Sequence, residues 1–177
     1  PNIQKCQFQN NFVDITIVFS TTLHRAATQE AENMNKLKDK VALVTGGSSG
    51  IGAGIARQLA SDGAKVIVNY ASGKSSADNV VADIQAAGGQ AVAVAADVTR
   101  QAEVEVLVNA AIDIFGRLDI VVNNAGIYEF ARIEESTEAL YRRQFDINVL
   151  GPLLMSGAAA PHLNKGGSII NISSFVT

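Results

Sequence analysis

From residue 40 onward, short unbroken apolar runs alternate with longer stretches whose apolar positions recur every three or four residues. Residues 41–45 (VALVT) form the first run, a Gly-rich turn follows, and residues 51–60 carry apolar side chains at helical spacing. The unit is strand, turn, helix. Residues 65–70 (KVIVNY) are the next β-branched run. Residues 75–87 then predict an amphipathic helix, with Val80, Val81 and Ile84 on one face before Gly88 and Gly89 end it. A third pair lies in residues 91–95 (AVAVA) and 100–115, where Val104, Val108, Ala111, Ile112 and Phe115 keep helical offsets and Gly116 gives the stop. Residues 118–122 (LDIVV) predict a fourth strand, residues 137–160 a long helical stretch, and residues 168–172 (SIINI) a fifth strand.

Strands that are apolar throughout, each followed by a helix, predict an α/β fold. Each crossover returns a helix to a face of the sheet, so the sheet must be parallel and covered on both sides. The expected architecture is a doubly wound parallel sheet that stops after its fifth strand. Pro152 falls inside the last helical stretch, where it removes a donor and crowds the preceding turn, so that helix is expected to kink or restart there. Phe145, Val149, Leu153 and Leu154 on the same stretch are assigned to the core. Residues 1–33 show neither period over any useful length, whereas MNKLKDKVALVTGG, beginning at Met34, reads like the start of an α/β unit. Residues 1–33 are therefore set apart as a leader, expected to be disordered, either an upstream remnant or a flexible extension.

Composition narrows the function classes. A chain of 177 residues that is 47% hydrophobic can bury one sizeable core, and the tight succession of elements leaves no linker, so one domain is expected. Its 14 basic and 17 acidic residues give a net charge of −3 with the signs scattered, which lacks the basic stripe that nucleic acid requires. No unbroken apolar run reaches the length of about 18 residues that a membrane span needs. Cys6 is the only cysteine, so no intrachain disulfide can form and a cytoplasmic location is the expectation. His24 and His162 have no neighbours at ligand spacing, and no metal site is assigned. Glu134, Glu135 and Glu138 are read as carboxylates at a helix start, where they favour the dipole.

The informative chemistry sits between the first strand and the first helix, where residues 45–52 read TGGSSGIG. Gly46 lets the chain turn off the strand, Gly50 would let the backbone approach a pyrophosphate, and Gly52 lets the helix pack close to the strand. Ser48, Ser49 and Ile51 complete the loop, and the helix N-terminus adds unpaired amides and the positive end of a dipole. A glycine-rich turn alone means little; flanked by this strand and this helix it reads as a dinucleotide loop.

In this setting TGxxxGxG resembles the cofactor loop of the short-chain dehydrogenase/reductase family, classical type, and three further segments match that family's motifs in order. Asp97 and Val98 are similar to the pair that brackets the adenine ring. Asn123 to Gly126 (NNAG) resembles the segment that steadies the central sheet and passes the nicotinamide ribose, which assigns Asn124, Ala125 and Gly126 to the cofactor. Asn148, in INVLGP, is similar to the helix asparagine of the catalytic tetrad, and Ser174, the second serine of SIINISS, to the serine that polarises the substrate carbonyl. The resemblance implies a Rossmann-fold NAD(P)-binding domain over residues 34–177. It also implies an oxidoreductase moving hydride between nicotinamide and a carbonyl or secondary alcohol. The 3-oxoacyl-carrier-protein reductases and glucose-dehydrogenase-like members look most similar, so a 3-oxoacyl thioester or a sugar is the substrate class it suggests. A homodimer or homotetramer, formed through the outer face of the long helix, is implied as well.

In the family a tyrosine with a lysine four residues on is the general acid or base. That pair is expected beyond Ser174, past Thr177, because Tyr70, Tyr128 and Tyr141 all lie upstream and none is read as followed by lysine at that spacing. The 177-residue chain is therefore expected to be an incomplete and inactive portion of such an enzyme, with a catalytically dead nucleotide-binding remnant as the alternative. The resemblance also bears on the cofactor, since NAD enzymes of this fold place an acid at the end of the second strand, about 20 residues past the loop. Here that place reads Asn69, Tyr70, Ala71, Ser72, and the nearest charge is Lys74. With no carboxylate to repel a 2′-phosphate, and with Ser72 and Lys74 as donors, NADP is preferred and NAD is the second choice. Tyr70 is assigned to the cofactor pocket.

Overall fold

In the computed structural model, which describes residues 36–173, all five apolar runs become strands. β1 (Val41–Val44), β2 (Lys65–Tyr70), β3 (Gln90–Ala95), β4 (Leu118–Asn123) and β5 (Leu163–Asn171) pair in parallel in the order β3-β2-β1-β4-β5. The crossovers carry α1 (Gly50–Ser61), α2 (Lys74–Ala86), α3 (Gln101–Phe115), α4 (Glu138–Phe145) and α5 (Gly151–Ala159). The chain steps outward from β1 through β2 and β3, then returns to the other side for β4 and β5. That reversal opens a crevice above the carboxyl ends of β1 and β4, the switch point of a doubly wound sheet. The leader, residues 1–33, lies outside the described residues.

Both faces of the sheet are dry because successive strand residues point opposite ways. Val41, Leu43 and Ile67 meet Val104, Leu107, Val108 and Ala111 of α3 and Met155 and Ala159 of α5. Ala42, Val44, Val66 and Val68 meet Ala53, Ala56 and Ala60 of α1 and Ala77, Val80 and Ile84 of α2.

The long helical stretch departs from expectation in two ways. It breaks into α4, a five-residue π turn (Asp146–Leu150) and α5, so the chain restarts just before Pro152, which sits in the first turn of α5 where its missing donor costs nothing. Second, the apolar row assigned to the core is largely outside it. Phe145 is 47% exposed, Val149 54% and Leu153 66%, and of the four only Leu154 packs on the core. The face turned inward is instead that of Gly151, Met155 and Ala159, whose two small residues let α5 lie close to α3 and the sheet while Met155 fills the core between them. The acidic trio also divides: Glu134 and Glu135 form a separate 3-10 turn, while Glu138 pairs with Arg142 at 2.7 Å and the α4 cap is the Thr137 hydroxyl, accepting from the Leu140 amide. β5 begins before the expected Ser168, with Gly166 at φ +85° and a register shift opposite Leu118 and Ile120.

One buried carboxylate ties the amino ends of the strands. Asp119, 3% exposed at its side chain, accepts from the Val41 amide at 3.0 Å, from Lys40 Nζ at 3.3 Å and from Arg117 Nε and Nη2 at 2.7 Å each. Burial pushes its carboxyl up. The Arg117, Val41 and Lys40 hydrogen bonds outweigh that and hold it below the usual carboxylate range. A lowered folded value means stability that is complete above the ordinary carboxylate range and is lost as pH falls through the folded value. Asp119→Ala is expected to cost about 1–3 kcal/mol near neutrality, chiefly by orphaning the buried Val41 N–H. The Lys40 and Arg117 charges stay partly in water and add little. Urea unfolding of both proteins should show that gap narrowing in acid, where the protonated carboxyl accepts more weakly from Val41 and no longer pairs with Arg117 or Lys40, and an equal gap at neutral and strongly acid pH would refute the account.

Candidate functional site

A cleft of about 420 Å³ opens at the carboxyl ends of the strands. Its walls come from four places: the β1–α1 loop (Gly46, Ser48, Ser49, Ile51, Gly52), the end of β2 (Asn69 to Ser72), the turn after β3 (Ala96, Asp97, Val98) and the segment after β4 (Asn124 to Ile127), with Ile147 from the π turn.

The loop is built around close approach. Gly46 has φ +60°, and a Cβ there would lie 3.0 Å from the Ala125 Cα. A Cβ at Gly52 would fall on the Gly46 carbonyl and the Asn124 side-chain amide, so only glycine lets α1 start here. Gly50 has another reason to be glycine than the expected one. It is not on the cleft wall, a Cβ on it would meet nothing within 4 Å, and it holds φ +52°, so the backbone conformation makes the demand. A bulky residue at Gly50 would thus strain the backbone of the loop itself. The first intrahelical bond of α1 runs from the Ala53 amide to Ser49, whose side chain makes no capping bond. The amides of residues 50–52 precede that bond and have no acceptor within the helix, and Ile51 and Gly52 line the cleft.

Side chains brace the loop from both flanks. Thr45, 2% exposed, donates its hydroxyl to the Val122 carbonyl and accepts from the Asn124 and Ala125 amides at 2.9 and 3.0 Å. Asn124 returns its Nδ2 to the carbonyls of Thr45 and Gly46. Opposite, Asp97 accepts from the Thr99 amide and hydroxyl while its own amide donates to Glu103, which fixes the turn after β3. Val98 packs on Gly151, where a Cβ would crowd it at 2.9 Å. Asn123 donates to Asn171 at 2.8 Å and to Ser156, joining the ends of β4 and β5 to α5. Asn148 occupies the π turn, where both ends of its amide bond to one residue: Oδ1 accepts from the Ile127 amide at 2.9 Å and Nδ2 donates to the Ile127 carbonyl at 2.8 Å.

A profile of the short chain dehydrogenase family matches residues 40–177. The chain belongs to that family. An uncharacterized oxidoreductase of Methylorubrum extorquens is 63% identical over 144 residues, which cover 81% of this chain and 58% of that protein. A hydroxynaphthalene reductase of Aspergillus fumigatus is 46% identical over 138 residues, 78% of this chain and 50% of that one. The solved short chain dehydrogenase of Burkholderia cenocepacia J2315 in complex with NADP superposes with a TM-score of 0.75 at 43% identity, over 77% of this chain and 56% of that one. This short-chain dehydrogenase chain thus spans between 50% and 58% of the length of these relatives.

Of the residues assigned from sequence, Gly46, Ser48, Ser49, Ile51, Gly52, Tyr70, Asp97, Val98, Asn124, Ala125 and Gly126 line this cleft of the short-chain dehydrogenase, and Asn148 stands behind Ile127 on its wall. Ser174 lies outside the described residues. Two readings are corrected. Lys74 is not on the cleft wall: it opens α2 and is bound to Asp78 one turn on, at 2.7 Å, so among the two expected phosphate donors only Ser72 faces the cleft. The chain also does hold a literal Tyr-x-x-x-Lys, Tyr70 to Lys74, against the reading that no tyrosine here is followed by lysine at that spacing. It runs from a strand end through a left-handed Gly73 into a helix, so its members do not share a helix face as a proton-donating pair must. Asn69, Ala71, Ala96, Ile127 and Ile147 were not singled out as site residues. Asn69 alone had a signal, being a polar residue inside the strand, directly after the apolar run Val66 to Val68.

Proposed function

We propose that this chain supplies the nicotinamide-dinucleotide site of an enzyme that moves hydride between NADP, or less readily NAD, and a carbonyl or secondary alcohol. The convergence of the open α1 N-terminus with the Asp97–Val98 turn and the Asn124–Gly126 segment on one cleft carries this reading. The donors suit a pyrophosphate, and a relative in this family is solved with NADP. The bound dinucleotide would supply the hydride. The chain's own residues would bind and orient it: the loop at the pyrophosphate, Asp97 and Val98 beside the adenine, Asn124 to Gly126 beside the second ribose. Ser174 would polarise the carbonyl, and Asn148 would hold the Ile127 segment in place. A 3-oxoacyl thioester, a sugar, or an aromatic ketone of the kind a hydroxynaphthalene reductase name denotes is the substrate class proposed. The exposed row of Tyr141, Phe145, Val149 and Leu153 supports pairing with a second copy of the chain.

The test is calorimetric titration with NADPH and NADH. NADPH is expected to bind more tightly, because no carboxylate at the end of β2 repels the 2′-phosphate. Asp at Ala71, which lines the cleft there, should reverse the preference. Failure of the unaltered chain to bind either dinucleotide would reject the reading, and a stronger NADPH preference in Ala71→Asp would reject the account of selectivity.

A further inference from the structure

Asn69 ends an otherwise apolar stretch of β2 with its side chain 1% exposed. A buried amide is tolerated when both of its ends are bonded, and this one is bonded in two directions. Oδ1 accepts from the Gly46 amide at 3.3 Å, and Nδ2 donates to the Ala96 carbonyl at 3.0 Å and the Val94 carbonyl at 3.3 Å. The main chain brings each wall of the cleft only as far as β2: the Gly47 amide donates to the Asn69 carbonyl at 2.8 Å, and the Ala96 amide to the Tyr70 carbonyl at 3.0 Å. β1 and β3 are not neighbours in the sheet, so no ladder bond can join them. The Asn69 side chain makes that join, and both residues it links, Gly46 and Ala96, line the cleft.

We propose that Asn69 is a positioning residue for the dinucleotide, setting the separation between the loop that takes the pyrophosphate and the wall of Ala96, Asp97 and Val98 that takes the adenine. The inference rests on the dinucleotide reading above. It requires a side chain with an acceptor on one side and a donor on the other. Aspartate meets that requirement only when protonated: in its ionised form one oxygen still accepts from the Gly46 amide, but the other, standing where Nδ2 stood, sets a charged acceptor against the Ala96 and Val94 carbonyls and drives the walls apart.

The experiment is NADPH titration of Asn69→Asp and of the unaltered chain across pH, below the melting temperature of each. The ratio of their dissociation constants cancels the titration of the ligand's phosphate and of Tyr70 and Asp97, the titratable residues that flank the site in both proteins. Near pH 8 the variant is expected to bind about ten- to a hundredfold more weakly. The ratio should return toward one near pH 5.5, since burial raises the introduced carboxyl into this range. A ratio of one throughout, or a loss that does not vary with pH, overturns the proposal. Where Asn69→Asp does not fold, Asn69→Ser is read instead; its hydroxyl can serve one wall only. A folded serine variant should lose about tenfold in affinity, and one that binds NADPH normally overturns the proposal too. An unaltered chain that binds no NADPH sinks the dinucleotide reading itself, whereas normal binding with indifferent variants sinks only the role of Asn69.

Discussion

Gly52→Val should lose NADPH binding almost completely and unfold more easily. The added Cβ would land on the Gly46 carbonyl and on the Asn124 amide. Neither can retreat, because Asn124 is already hydrogen-bonded to the carbonyls of Thr45 and Gly46. The start of α1 must therefore move, and with it the amides of Ile51 and Gly52, two residues that line the cleft. Overpacking of this kind costs about 1–3 kcal/mol. Losing two charge-assisted bonds from those amides, each about 1.5–3 kcal/mol, corresponds to at least about a hundredfold in affinity. Calorimetry on the folded variant is the check: near-normal affinity would remove the β1–α1 loop from the cofactor site.

Thr45→Val keeps the shape of the side chain and removes its oxygen, and it is expected to be among the most damaging conservative changes in the fold. The Thr45 hydroxyl receives both the Asn124 and the Ala125 amides, and valine leaves both without it. At about 1–3 kcal/mol for each of the two orphaned donors, the variant should lose roughly 2–6 kcal/mol. Denaturant unfolding measures that directly. A loss under about 0.5 kcal/mol, the range of an indifferent surface change, would mean that water replaces the hydroxyl and that the brace is dispensable.

The parts of this molecule that sequence discloses are those where burial is total. β2 was bounded to the residue, because a strand covered on both faces has no polar alternation to blur its ends. Residues 137–160 show the opposite case. Two apolar rows run along that stretch, and periodicity cannot say which of them meets the sheet. The larger side chains, Phe145, Val149 and Leu153, drew the assignment, yet small residues at Gly151 and Ala159 are what allow close packing. The π turn adds a residue to the repeat and is invisible to any 3.6-residue count. In the cleft, glycine spacing revealed the loop because steric need at Gly46 and Gly52 leaves few other residue types. Asn69 shows only that it is polar beside apolar neighbours; its partners are main-chain groups just past the ends of two other strands, which no local pattern encodes.

The Asp119 cluster and the cleft stand at opposite ends of the same two strands. β1 and β4 are four and six residues long, so at about 3.3 Å per residue roughly 13–20 Å of dry sheet insulates one from the other. Mutations more than about 10 Å apart with no shared contacts combine additively. The rim at Lys40, Arg117 and Asp119 can therefore be engineered for endurance without the usual penalty in activity, which arises when stabilising changes stiffen the working site. The same insulation gives the loops at the other rim latitude to diversify over one unchanging foundation.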